Sequence, residues 1–81
     1  MSERNFARAF RRELGQTPGA YVEALRVERA RQELEATDAP IDVIARRCGF
    51  GTPETLRRAF RRRLRVGPAA YRARFHHRDA A

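Results

Sequence analysis

Arg8–Tyr21, RAFRRELGQTPGAY, returns fifty residues later as Arg58–Tyr71, RAFRRRLRVGPAAY. Phe10 falls on Phe60, Leu14 on Leu64, Pro18 on Pro68 and Tyr21 on Tyr71, with Arg11-Arg12 and Arg61-Arg62 in register. Conservative pairs extend the match: Ser2 with Thr52, Phe6 with Leu56, and Leu25 with Phe75. A repeat in so short a chain marks one structural unit used twice. Both copies are studded with arginine, so two similar surfaces address two similar targets. A duplex, whose groove recurs every turn, is such a target.

Working outward from the repeat, the punctuation is helical. Ser2 is predicted to cap a helix reaching about Leu14, stopped by Gly15. Thr17-Pro18 is a cap followed by proline at the first helical position, opening a helix to about Ala36 through Val22, Leu25, Ala30 and Leu34. Thr37–Pro40 breaks it, and a short helix from Ile41 to Cys48 ends at Gly49, a left-handed stop. Thr52-Pro53 opens a helix to about Arg65, and Gly67-Pro68 a last one to about Phe75. No segment alternates apolar and polar residues as a strand would, so the chain reads as all-α.

A helical wheel at about 100° per residue assigns the faces. Phe6, Ala9, Phe10 and Leu14 share one stripe, and Arg4, Arg8, Arg11 and Arg12 lie opposite. In the second copy Leu56, Ala59, Phe60 and Leu64 turn inward, while Glu54, Arg58, Arg61, Arg62 and Arg65 turn out. Arg63 sits at the apolar edge, where its stem can lie along the core. One such helix would pass for an ordinary solvated face; two in matching positions point to a binding surface.

Ile41–Arg65 has the layout of a helix-turn-helix: a short helix with Val43, Ile44 and Ala45, a turn at Gly49, Phe50 closing the core, then a second helix from Thr52. In this motif the N-terminal part of the second helix meets base edges. Glu54, Arg57 and Arg58 are therefore base-edge candidates, and Arg61, Arg62 and Arg65 suit phosphates. By the symmetry, Ser2–Leu14 is the matching recognition helix, with Arg4, Ala7 and Arg8 in the places of Glu54, Arg57 and Arg58. The counterpart of Ile41–Cys48 would precede residue 1. Phe6 and Phe10 are expected to lack its cover and to stay more exposed than Leu56 and Phe60. The intervening helix, about 20 residues or ~30 Å long at ~1.5 Å per residue, approaches the ~34 Å recurrence of the major groove.

Bulk properties agree. The 81 residues make one small domain, and 42% hydrophobic content supports a modest core. Net charge is +8, pI about 11.5, and every basic residue is arginine. Arginine's planar fork suits phosphate and guanine. A GC-rich coding bias is an alternative account of arginine in place of lysine, but not of the charge excess, which indicates a polyanionic partner. With no basic-then-apolar leader and no apolar run of about 18 residues, the chain is expected in the cytoplasm, off the membrane and at the nucleoid. The single Cys48 excludes an internal disulfide and reads as a small buried hydrophobe. Adjacent His76 and His77 on a tail point apart, so no metal site is expected. Neither a catalytic constellation, a cofactor loop nor a small-molecule site stands out.

The residues resemble the C-terminal DNA-binding domain of AraC/XylS-type transcription regulators. The matching stretches are Ser2–Phe10, Gly15–Tyr21, Leu25–Ala30, Pro40–Phe50, Leu56–Phe60 and Pro68–Arg72, and the likeness covers residues 1 to about 75. It is greatest to members whose N-terminal half is an amidotransferase-like sensor. The resemblance implies tandem helix-turn-helix units joined by a linker helix, seven helices in all, the first unit here lacking its leading helices. It implies a domain at 1–78 with a partial first unit at 1–14, the linker at 17–36, a complete second unit at 40–75 and a tail at 76–81. It further implies a non-enzymatic, sequence-specific regulator of transcription that reads tandem major-groove segments of double-stranded DNA and often touches RNA polymerase. Base-reading positions carried over are Arg4, Ala7 and Arg8, then Pro53, Glu54, Thr55, Arg57 and Arg58; Thr52, Arg11, Arg12, Arg61 and Arg62 complete the expected DNA face. Ala7 and Pro53 offer only apolar contact, and Glu54 can accept from a cytosine amino group. Two other readings stay open on the residues: a basic protein binding nucleic acid without sequence preference, and a truncated remnant that acts through protein contacts at Phe6 and Phe10.

Overall fold

The computed structural model describes residues 2–76. Met1 and residues 77–81, which include His77 and most of the predicted tail, lie outside the described residues. The chain forms α1 (Glu3–Leu14), α2 (Pro18–Ala36), α3 (Ile41–Arg47), α4 (Pro53–Leu64) and α5 (Pro68–Phe75), with no strand among the described residues. None of these helices is long and apolar enough to cross a membrane.

Boundaries follow local chemistry. Ser2, Thr17 and Thr52 each turn a side-chain oxygen back to the backbone N–H three residues on, at 3.2 Å. Pro18, Pro53 and Pro68 stand at the helix starts, where their missing N–H costs nothing. Gly15 ends α1 at φ 75°, and Arg11 and Arg12 in its last turn complement the helix dipole. Two details differ from expectation. The turn after α3 needs two left-handed glycines, Gly49 at φ 87° and Gly51 at φ 83°, so that the N–H groups of Phe50 and Gly51 both reach the carbonyl of Ala45. And α4 stops at Leu64, one residue short of the predicted end, because Arg65 adopts the left-handed cap conformation at φ 63° where the first copy has glycine.

The core is built where α3 and α4 pack on the C-terminal half of α2. Val27, Ala30 and Leu34 of α2 pack with Ile44, Ala45 and Cys48 of α3 and its end, and with Leu56, Ala59 and Phe60 of α4. Cys48 is buried as expected, and burial pushes its thiol pKa up. Ala45 has no exposed surface, which allows α3 and α4 to approach closely. In contrast α1 has no buried residue. It joins α2 through Phe10, whose ring meets that of Tyr21 edge-on at 5.5 Å and 70°. The second copy repeats the pair as Phe60 and Tyr71 at 5.4 Å and 72°. What the first copy lacks is cover: Phe6 is 51% exposed where its counterpart Leu56 is 0% exposed, and Phe10 is half-buried where Phe60 is fully enclosed.

α5 is locked across the end of α2. The guanidinium of Arg72 donates to the carbonyls of Leu34, Thr37 and Ala39, at 3.3, 3.1 and 2.6 Å, satisfying acceptors that the helix end leaves open. His76 extends the lock, its Nε2 lying 2.9 Å from the Thr37 carbonyl and 3.1 Å from Asp38 Oδ1. His76, the first residue of the expected tail, is held by these two contacts. Tyr71 adds a third tie, donating to Glu35 and receiving Arg31 at 3.3 Å, while burial raises its pKa.

Candidate nucleic-acid interface

The two recognition segments are presented alike. Arg4, Arg8, Arg11 and Arg12 are exposed along α1, and Glu54, Thr55, Arg57, Arg58, Arg61 and Arg62 along α4. A shallow concave surface on α4 is lined by Glu54, Arg57, Arg58 and Arg61. A shallow concavity on α1 is lined by Asn5, Arg8, Ala9, Arg11 and Arg12, of which Arg8 and Arg11 answer to Arg58 and Arg61. Of these arginines only Arg62 takes part in an ion pair among the described residues. Free guanidinium forks on an exposed helix are poised for guanine edges and phosphate oxygens.

Other expected positions carry different loads. Ala7 and Pro53 are half-buried on the flanks of their helices. Thr52 and Thr55 are exposed, but their hydroxyls bond each other at 3.0 Å and the Thr52 oxygen also caps α4. Arg62 donates to both oxygens of Glu23, at 2.6 and 3.3 Å, and Arg63 donates to the same carboxylate at 2.9 Å and to the Ala20 carbonyl at 2.7 Å. Arg63 therefore does more than lay its stem on the core. The hydrogen bond from Arg62, reinforced by Arg63, holds the Glu23 carboxyl below the usual carboxylate range against the opposing effect of burial.

Sequence reasoning passed over three residues. Asn5 lines the α1 concavity next to Arg8, and its carboxamide has no hydrogen bond among the described residues. The signal was available: an exposed amide one turn from a free arginine on a recognition helix. Arg26 of α2 lies over the turn, close enough that a Cβ added at Gly49 would meet its Nε at 2.9 Å. Glu23 gave no local signal, because its partners are 39 and 40 residues away. No group of three His, Cys, Asp or Glu side chains that could hold a metal ion occurs among the described residues.

Comparison with known proteins adds the following. A helix-turn-helix domain family profile matches residues 1–74. The HTH-type transcriptional regulator Rv1931c of Mycobacterium tuberculosis is 52% identical over 75 residues, spanning 93% of this chain and 29% of the relative. The multiple antibiotic resistance protein MarA of Escherichia coli is 32% identical over 71 residues, spanning 88% of this chain and 56% of that protein. Among solved structures, the DNA-binding domain of AdpA, a global transcriptional factor crystallised with a target DNA, superposes with a TM-score of 0.86 at 46% identity, covering 90% of this chain and 66% of that one. The C-terminal domain of AraT, a response regulator from Geobacillus stearothermophilus, gives a TM-score of 0.94 at 28% identity, covering 100% of this chain and 67% of that one. The chain thus spans well under two thirds of the length of these full-length relatives.

Proposed function

Because the chain belongs to the helix-turn-helix domain family of AraC-type transcription regulators, we propose that it binds double-stranded DNA sequence-specifically and regulates transcription, with α1 and α4 in adjacent major-groove segments. One observation carries the reading. Fifty residues apart, two capped helices expose the same arginine, Arg8 and Arg58, each beside a second exposed arginine (Arg11 and Arg61) and without an acid partner among the described residues. Base edges fall to Arg4, Asn5 and Arg8 on α1 and to Glu54, Arg57 and Arg58 on α4, with apolar contact from Ala7 and Pro53. Asn5 suits adenine, which presents a donor and an acceptor to a carboxamide. Arg11, Arg12, Arg61 and the exposed arm of Arg62 serve phosphates, and Thr52 and Thr55 hold the α4 N-terminus toward the backbone. The work is binding, with no catalytic step, and it puts the chain at the nucleoid in the cytoplasm. RNA polymerase is a second partner on the strength of the family resemblance, tested by whether the chain retains purified polymerase on a promoter duplex.

Selection from a random-sequence duplex pool tests the main reading. Enrichment of two boxes about one helical turn apart, ~10 bp centre to centre, is the expected result. A single box would remove α1 from the interface. No enrichment at all would leave a basic protein without sequence preference.

A further inference from the structure

The repeat identifies which contacts belong to each unit and which join the two. Contacts inside a unit recur, as the Phe10–Tyr21 and Phe60–Tyr71 ring pairs do. The contact at Glu23 does not recur. Fifty residues on, Glu23 becomes Ala73, and fifty residues back, Arg63 becomes Glu13. The second copy thus lacks the acid and the first lacks the second arginine, so the contact joins one copy to the other and forms within neither. A strong, partly buried polar contact without a counterpart is an added device. Its location says what it joins. Tyr21, which anchors α1, and Glu23, which anchors the far end of α4, stand two residues apart on α2.

We propose that Glu23 is a positioning residue: by clamping Arg62 and Arg63 of α4 to the end of α2 that carries α1, it fixes the spacing and phase of the two DNA boxes the chain accepts. This rests on the two-box reading given above. Two binding elements joined rigidly gain from each other only when the target matches their geometry; a looser joint accepts more targets and favours none. The clamp is built for stiffness. The Arg63 fork is shared between the Glu23 carboxylate and the Ala20 carbonyl, which sets its plane as well as its distance. The Glu23 side chain is 27% exposed, Arg63 28% and Arg62 62%, so the inner arm is partly shielded from solvent while the outer arm reaches it.

The test uses the 81-residue chain and duplexes carrying both selected boxes at the selected separation, or with 2 bp inserted or removed. The wild-type chain should bind the altered duplexes more weakly by on the order of tenfold or more. Glu23→Gln, which keeps the shape and loses the charge, should shrink that ratio to about threefold or less while binding an isolated box as well as wild type does. Arg63→Gln opens the clamp from the other side and should reproduce the loss, with helix content by circular dichroism checking that both variants fold. Glu28→Gln, removing the same charge elsewhere on α2, should leave the ratio at the wild-type value. A Glu23→Gln chain that discriminates spacing as sharply as wild type would overturn the clamp and spare the two-box reading. A wild-type chain that takes one box at any spacing would overturn both.

Discussion

Arg65 shows how a single side chain can sit against its own backbone preference. Its φ of 63° is the only positive value at a non-glycine position among the described residues, and the first copy solves the same turn with Gly15 at φ 75°. For an L-residue this conformation costs roughly 1–2 kcal/mol, part of which glycine gives back in unfolded-state entropy. Arg65→Gly is therefore expected to stabilise the chain by about 0.5–1 kcal/mol, read as a shift of the urea midpoint at constant slope. The side chain is exposed and makes no ion pair among the described residues, so little packing is lost in exchange. An unchanged or lower midpoint would mean that the Arg65 stem contributes more than its backbone strain removes. Arginine at this position, despite the strain, is what a phosphate-facing role for Arg65 would require.

At the scale of elements, the two copies are internal controls for one another. Leu56 is enclosed by α2 and α3, and Leu56→Ala should cost about 2–5 kcal/mol. Phe6→Ala, at the matching site on uncovered α1, should cost about 1 kcal/mol, because about half of the residue is already in water. Equal losses by chemical denaturation would show that α1 is covered in solution. The joint between α2 and α4 has a pH signature. The folded pKa of Glu23 is lowered, so its ion pairs contribute in full above the ordinary glutamate value of about 4.3 and are lost as pH falls through the lower folded value. The melting-temperature gap between wild type and Glu23→Gln should accordingly be full at pH 7, narrow below about pH 4 and close in stronger acid; a gap independent of pH would mean that packing, not charge, holds the joint. Helix ends were legible because Ser2, Thr17, Thr52, the prolines and Gly15 act within a few residues of where they stand. Long-range ties were not, and they fall where the repeat breaks: Glu23 against Ala73, Arg63 against Glu13, Arg72 against Val22. Departures from the repeat were visible in the sequence, but only the folded chain gives them partners.

Over the whole molecule, charge is sorted by element. The α2 helix carries Glu23, Glu28, Glu33 and Glu35, and each meets an arginine of α2, α3 or α4. Arg4, Arg8, Arg11 and Arg12 of α1 and Arg57, Arg58 and Arg61 of α4 are left without an acid partner among the described residues. Most of the +8 excess is thereby carried by the two recognition helices of a body 53 Å long and about 20 Å thick. An elongated shape with unneutralised arginines on both proposed reading helices fits a long polyanion better than a compact ligand. Base reading and phosphate attraction separate by position along α4. Arg58, in the first half of α4, should cost about 1–3 kcal/mol on the selected sequence when changed to alanine and much less on random DNA. Arg61→Ala, one turn later, should weaken every sequence alike and lower the salt slope by about 0.9. Arg62→Ala should lower it by less, because in the free chain that guanidinium already neutralises Glu23. Binding titrations of the three variants across a salt series decide the matter. If Arg58→Ala loses as much on random duplex as on the selected one, α4 meets DNA through its backbone alone, and specificity must come from α1 or from DNA shape.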